Sequence, residues 1–333
     1  MRILFIASSS PFNEQLKKAF QANGVEILHL DDRLNQLVPA TLERNHIIWQ
    51  LSRKINLFRR LNNQLFAKRL VEAAQKFKPD VLFVNKGLII KPATLKTLSS
   101  LGIKTVNWCP ENTQNEPYRS WLNNVAPHYD YFLSFDSAAV KKIKNQTRAH
   151  YVPFAVDPAA YDGGDISQSD RSRFESDICF IGAPYPERIL LLSLLDNLNL
   201  KIFGWEGWKQ TSLAAHYYGP LNAFESARAY RCAKICVNTN LEPPTAGVNV
   251  KTFEIPVAGG FQLSDYRTDI HGLFEVGKEI EVFRDKKEFQ AKVTHYLSHD
   301  SERDAIARAG RERVLKEHTL DHRVGQMLEI ITA

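Results

Sequence analysis

Short apolar runs alternate along this chain with longer stretches whose apolar residues recur every three or four positions. Runs at 3–7, 25–30, 81–85, 103–108 and 131–135 read as buried strands. Between them, Leu16, Ala19 and Phe20 share one face of a helix that Gly24 stops, and a second helix at 92–101 is stopped by Gly102. A basic helix follows Asp136-Ser137 to about Asn145, and residues 150–153 close the set. Strand–helix–strand order of this kind predicts a parallel, doubly wound sheet.

A second series of the same type begins after residues 157–175. That stretch holds Pro158, Gly163, Gly164 and a run of Asp, Ser and Arg with few apolar residues, and reads as a linker. Strands are expected at 177–181, 201–204, 233–237 and 280–283, and helices at 223–232, 286–297, 301–318 and 321–331. Residues 247–264 read as a loop, a short helix and a buried strand. At 333 residues the chain suggests two domains of roughly 150 residues each. The expectation is an α/β protein of two Rossmann-like halves, residues 1–156 and 176–333, whose parallel sheets face each other across a cleft. The last helix is free to pack back on the first half.

The formal charge of +6 is mildly basic and favours phosphates, acidic small molecules or an anionic membrane surface. It is too dispersed to argue for nucleic acid. Residues 44–78 are the most basic part: Ile48, Leu51, Ile55, Phe58 and Leu65 recur at helical spacing among Arg53, Lys54, Arg59, Arg60, Lys68 and Arg69. They form either amphipathic helices with a solvated basic face or a docking surface for anionic lipid or a phosphorylated acceptor. Cys109, Cys179, Cys232 and Cys236 lack metal-ligand spacing and read as buried free thiols of a reducing compartment. No run is long enough to span a bilayer, and the first residues do not form a signal peptide. A cytoplasmic protein is the expectation, with peripheral contact at the inner face of the membrane as the alternative that the docking reading of residues 44–78 opens.

The chemistry-bearing residues collect at strand ends. The turn Ser8–Pro11 has no glycine, which disfavours an NAD or FAD fingerprint, and no Walker A motif occurs. Asp31-Asp32 is either a capping turn or part of a divalent-cation site. Ser8, Lys86, Gly87, Glu111, Asn112 and Asp136 fall along one sheet edge, where ligands of open α/β sheets bind, although each alone reads as a cap or turn. In the second half, a helix starting near Lys251 would aim its N–H groups and positive dipole end at an anion. Gly247, Val248 and Asn249 would offer backbone N–H groups, Lys251 a fixed charge, and Glu254 a carboxylate one turn on. Phosphates at the helix start with sugar hydroxyls at the carboxylate would suit a nucleotide diphosphate. Alternatively Glu254 is a solvated helix residue and Gly259-Gly260 a plain helix stop. Gly182 and Gly219, each after a strand-like run, complete the donor-side set. His271 and His318 are given no role.

A set of motifs then resembles the GT-B glycosyltransferases near family 4, and more closely their CgeB-like (spore-maturation protein) branch. They are Thr105-Val-Asn-Trp-Cys-Pro-Glu111, Phe135-Asp-Ser137, Val152-Pro-Phe-Ala-Val-Asp-Pro158, Phe180-Ile-Gly-Ala-Pro-Tyr-Pro-Glu-Arg188, Asn249-Val-Lys-Thr-Phe-Glu-Ile-Pro-Val-Ala-Gly-Gly-Phe261 and Glu317-His-Thr-Leu-Asp-His-Arg323. The resemblance implies a nucleotide-sugar donor on the C-terminal half and the acceptor on the N-terminal half; a glycan, a lipid-linked molecule or a protein are the acceptors considered. Family 4 pairs two glutamates with seven residues between them. Glu254 matches the second, whose family role is to bind the ribose hydroxyls; the first falls on Ala246, so that carboxylate is missing.

The resulting expectation is a metal-independent sugar transferase without a cofactor. Lys251 and Arg188 would stabilise charge on the leaving diphosphate. The resemblance implies retention; inversion would need a base, with Glu111 and Asp136 as candidates. A GT-B-shaped protein that binds nucleotide or sugar without transfer, or a nucleotide-sugar epimerase of the same architecture, are the alternatives.

Overall fold

The computed structural model describes residues 1–33, 56–240 and 243–333. Of the basic stretch, Ile48, Leu51, Arg53, Lys54 and Ile55 therefore lie outside the described residues. The chain forms two compact units, residues 1–153 with 324–333, and residues 154–323.

In the first unit the elements run β1 (Arg2–Ile6), α1 (Pro11–Ala22), β2 (Glu26–Leu30), α2 (Asn56–Phe77), β3 (Val81–Asn85), α3 (Pro92–Ser100), β4 (Lys104–Cys109), α4 (Tyr118–Asn124), β5 (Tyr131–Ser134), α5 (Ser137–Ile143) and β6 (Arg148–Tyr151). The strands pair in the order β2-β1-β3-β4-β5-β6, all parallel. Continuous burial of β1, β3, β4 and β5 explains their unbroken apolar runs, since both faces of a parallel sheet are covered. Leu16 and Phe20 of α1 are fully buried, as their spacing requires. The order reverses between β1 and β3. That reversal puts Ser8 and Lys86 beside the switch point where ligands of such sheets bind.

The second unit runs α6 (Gln168–Phe174), β7 (Ser176–Gly182), α7 (Pro186–Leu192), β8 (Leu200–Gly204), α8 (Ala223–Cys232), β9 (Ala233–Asn238), α9 (Lys251–Ala258), β10 (Gln262–Asp265), β11 (Glu281–Phe283), α10 (Lys286–Leu297) and α11 (Asp300–Glu317). Its sheet has the order β11-β10-β9-β7-β8, again all parallel, with its switch point between β7 and β9. The closing helix α12 (Leu320–Thr332) enters the first unit at Val324. There Lys104 Nζ donates to the Ile331 carbonyl at 2.8 Å and Gln326 Nε2 to that of Tyr151 at 3.2 Å.

Residues 157–175 are not a bare tether. They belong to the second unit, and their polar residues are consumed as caps. Asp157 caps a short 3-10 turn (Pro158–Tyr161). Ser167 and Asp170 form a reciprocal capping box on α6. Asp170 also pairs with Arg228 of α8 at 2.8 Å, and Phe174 is buried. Among the described residues, no helix is long and apolar enough to cross a membrane. The four cysteines are unpaired thiols, three of them buried.

Candidate functional site

The carboxyl edge of the second sheet is built around two glycines and one arginine. β7 and β8 end in register at Gly182 and Gly204. Gly204 has φ +116°, and a Cβ there would stand 2.7 Å from the Gly182 carbonyl oxygen, so only glycine lets the two strands close. The Gly182 carbonyl also accepts from Trp208 Nε1 at 2.8 Å. A Cβ on Gly182 would approach Arg188 Nη1 to 3.2 Å. The absence of a side chain at Gly182 thus leaves room for the Arg188 side chain, which leaves the first turn of α7.

Arg188 is buried, at 8% exposure. Its Nε donates to Thr239 Oγ1 and its Nη2 to the Thr239 carbonyl, both at 2.9 Å, while Nη1 donates to the Ala183 carbonyl at 3.2 Å. All three acceptors are neutral, and no carboxylate among the described residues lies within ion-pair distance. Burial pulls its pKa below the usual arginine value. The guanidinium also lies over the rings of Tyr185 (4.9 Å) and Phe180 (5.5 Å). A buried cation with neutral partners and unspent N–H groups is an anion receptor by its chemistry.

Beyond β9 an asparagine lock holds the loop to the start of α9. Asn238 and Asn249 exchange side-chain hydrogen bonds at 3.0 and 3.1 Å, and Asn249 Nδ2 donates to the Thr239 carbonyl at 3.1 Å. Asn249 N–H donates to Asn240 Oδ1 at 2.6 Å. Asn240 in turn donates its N–H (2.8 Å) and Nδ2 (2.7 Å) to Asp265 Oδ1, whose other oxygen accepts from Arg267 at 2.6 Å. Thr239 is thus gripped by Arg188 and by Asn249 together.

α9 starts without a side-chain cap, since Val250 stands at its N-cap. Lys251 is its first residue, with Nζ 3.9 Å from Glu254 Oε2. The Tyr161 phenol feels Glu254: burial first, and then the Glu254 charge, push its pKa up. Gly259 ends the helix in the left-handed conformation at φ +94°.

Several expectations need revision here. The Asn249 N–H is already spent on Asn240, so it does not offer itself to a phosphate. Val248 is a core residue at 1% exposure, packed with Phe253 and Val257. Gly247 is also buried, its carbonyl accepting from Thr245 Oγ1 at 2.9 Å. Gly219, at φ +100°, accepts from Gly204 N–H at 3.0 Å and so supports the β8 end. Ala246 receives the Asp269 N–H on its carbonyl at 3.0 Å. Lys251, Glu254 and Arg188 keep side chains suited to a ligand.

At the carboxyl edge of the first sheet, Lys86 and Glu111 form an ion pair. Lys86 holds a left-handed backbone at φ +71°, a strained state that clusters at functional sites. Gly87 follows at φ +83°, where a Cβ would meet Val84 Cγ1 at 2.7 Å. The Ser8 carbonyl accepts from Asn13 Nδ2 at 2.8 Å, and Ser8 is buried. Asp136 is 1% exposed and caps α5 through the Ala138 N–H at 3.0 Å, which commits its carboxylate to structure. Asn112 likewise serves a turn, accepting from Gln114 N–H at 2.9 Å. Asp31 accepts the N–H groups of Ser9 and Arg33, both at 2.8 Å, the turn reading of that pair. Burial and the adjacent Asp31 charge push Asp32 up to about 6. Among the described residues no cluster of three or more His, Cys, Asp or Glu is arranged to hold a metal.

Sequence reasoning missed Thr239, Asn240, Asp265 and Tyr161. The polar triplet Asn238-Thr-Asn240 directly after an apolar strand was the available signal for the first two.

Residues 187–329 match the family model described as glycosyl transferase-like. The chain is 24% identical over 271 residues to spore protein CgeB of Bacillus subtilis, covering 74% of this chain and 81% of that one. Among solved structures, sucrose-phosphate synthase from Thermosynechococcus elongatus superposes with a TM-score of 0.71 at 10% identity, over 100% of this chain and 98% of that one. Anabaena Alr3699/HepE, solved in complex with UDP, gives a TM-score of 0.67 at 11% identity over 100% of both chains. Two doubly wound parallel sheets give the chain the GT-B fold of these neighbours; its second unit carries the glycosyl transferase-like match, and the chain as a whole resembles the CgeB-like glycosyltransferases.

Proposed function

We propose that the chain transfers a sugar from a nucleoside-diphosphate donor to a glycan or lipid-linked acceptor. The observation that carries the reading is Arg188: a buried guanidinium without a carboxylate partner among the described residues, at the switch point of the sheet that bears the family match. In this reading Arg188 and Lys251 take the charge that develops on the departing diphosphate, with the uncapped start of α9 adding its dipole. Glu254 accepts the ribose hydroxyls. These cations make a metal unnecessary. Retention follows when the departing phosphate oxygen itself takes the acceptor proton. The HepE complex with UDP-glucose supports a nucleotide sugar as donor for this architecture.

The acceptor lies, in this reading, at the Lys86–Glu111 edge of the first sheet. α2 brings the protein to the cytoplasmic face of an anionic membrane. Leu57, Phe58, Leu61 and Leu65 are exposed on that helix by 41–65%, among Arg59, Arg60, Lys68 and Arg69. Apolar side chains that enter the interface beside basic ones suit such a surface.

A thermal-shift screen against UDP, GDP, ADP, TDP and CMP, with and without a divalent cation, tests the donor site. A shift with one diphosphate that needs no metal and is lost in Glu254→Ala is the expected outcome. No shift with any of them would refute it.

Ala246 motivates a second reading, in which the site binds nucleotide without transfer. Binding that depends on Glu254, with no turnover of a nucleotide-sugar panel against a glycan acceptor panel, would favour that reading.

A further inference from the structure

Thr239, Asn240 and Arg188 line a cavity of about 310 Å³ that neither Lys251 nor Glu254 lines. It sits beyond the ends of β9, β10 and β11, and its charge is unevenly satisfied. Asp265 and Arg267 neutralise each other within it. Arg188 reaches its wall with neutral partners only. At the rim, the Arg284 guanidinium lies over the Tyr266 ring at 4.3 Å, and Lys286 begins α10; neither makes an ion pair among the described residues. Two carboxylates share the rim, Glu187 and Asp285, and Asp285 is occupied as the cap of α10. Leu191, Tyr266 and Phe283 supply apolar surface, while the Thr239 hydroxyl keeps a proton to donate.

We propose that this cavity is a second ligand site, for an anionic monosaccharide. Arg188, buried with neutral partners only, favours an anion in the cavity, either carboxylate or phosphate, and the exposed Arg284 and Lys286 add positive charge at the rim. A ring face suits Tyr266 and Phe283, and ring hydroxyls suit Thr239 and Glu187. The volume falls at the small end of the range for small-molecule pockets, which fits one sugar ring better than a whole nucleotide. Arg188 lines this cavity and is also the cation of the donor reading, so the two share it. Arg284 and Lys286 belong to the cavity alone, and Lys251 and Glu254 to the donor reading alone, so variants of these residues tell a failure of one from a failure of the other.

The test is calorimetric titration of the whole chain with glucose 6-phosphate, glucuronate, glucose and inorganic phosphate. It is run on the wild type, on the Arg284→Ala/Lys286→Ala double variant and on Glu254→Ala. Both mutated cations are exposed, so the double variant keeps the fold. Glucose 6-phosphate or glucuronate should bind while glucose does not, and the preferred probe says whether the anion is phosphate or carboxylate. The double variant should lose at least about tenfold in affinity, Arg284→Lys should lose less than Arg284→Ala, and Glu254→Ala should change nothing. Inorganic phosphate binding as tightly as the sugar phosphate would mean an adventitious ion only and would overturn the proposal. So would unchanged affinity in the double variant, or no heat with either anionic sugar up to about 10 mM.

Discussion

Replacing Arg188 by methionine separates an anion receptor from a structural clamp. The change keeps the length and apolar body of the side chain and removes three hydrogen bonds, at 2.9, 2.9 and 3.2 Å. Removing one partner of such bonds costs about 1–3 kcal/mol when the other is left buried and unsatisfied. Here the loss is cushioned. The Thr239 carbonyl keeps the Asn249 bond, and Thr239 Oγ1 can rotate to donate elsewhere. Against the loss stands relief from burying a guanidinium without a counter-charge, which is itself several kcal/mol. The two terms are of similar size and opposite sign. Stability should therefore change by no more than about 1 kcal/mol, or roughly 2–4 °C in Tm for a unit of this size. Diphosphate affinity should behave differently: a charge-assisted contact of about 1.5–3 kcal/mol disappears, weakening binding about ten- to a hundredfold. Urea unfolding and nucleotide titration on the same preparation read both quantities. A loss of about 3 kcal/mol or more in stability with unchanged nucleotide affinity would refute the reasoning and make Arg188 a clamp.

Glu254→Gln keeps the shape of the side chain and removes the charge, so it should leave Tm nearly unchanged and weaken nucleotide binding about tenfold or more in the same titration. Gly204→Ala forces a Cβ onto the Gly182 carbonyl at a left-handed φ; we expect a loss of about 2 kcal/mol or more, seen as a lower midpoint in urea. His318 is buried, its Nε2 at 2.9 Å from the Leu273 carbonyl and its Nδ1 at 3.3 Å from Arg323 Nη2. Burial lowers its pKa from 6.5 to about 4, so the unfolded chain binds the extra proton first as pH falls. The resulting stability is complete above about 6.5 and is lost down to about 4, on the order of 3 kcal/mol in all. His318→Gln should flatten that part of the stability–pH curve relative to wild type. For the membrane surface, Leu57→Ser/Leu61→Ser should reduce co-flotation with vesicles rich in anionic lipid, and neutral vesicles should recruit neither protein. Equal flotation of both proteins would remove α2 from the account.

The strands were legible because burial on both faces of a parallel sheet demands continuous apolar runs. Gly, Pro and Asp then mark where those runs stop. Expected and observed strand ends agree within a residue or two at Asn85, Cys109 and Gly204. The stretch 157–175 was misleading for a physical reason: Asp157, Ser167 and Asp170 look like a solvated tether, but each satisfies a helix start, which composition does not reveal. The same ambiguity governs the site. Asp136 and Glu254 are both acids next to helix starts in the sequence, yet Asp136 precedes its helix and caps it, whereas Glu254 sits in the first turn and faces Tyr161. Four positions of offset, N-cap against fourth helical residue, free the Glu254 carboxylate from the capping role that Asp136 takes.

That offset also explains why the donor-side cradle was only partly readable. An exposed helix start and a glycine-bearing loop look like a row of open N–H groups, but the loop must itself be held, and the nearest donors do the holding. Asn249 reaches back nine residues to Asn240 and eleven to Asn238, a pairing no local pattern announces. Once the loop's own backbone is committed in this way, binding has to come from side chains that project past it. Arg188 meets that condition from a different element, and the missing side chain of Gly182 leaves room for it, since a Cβ there would stand 3.2 Å from Arg188 Nη1. Gly182 therefore bears on any bound anion indirectly, by leaving space for the one buried cation without a carboxylate partner among the described residues of this edge.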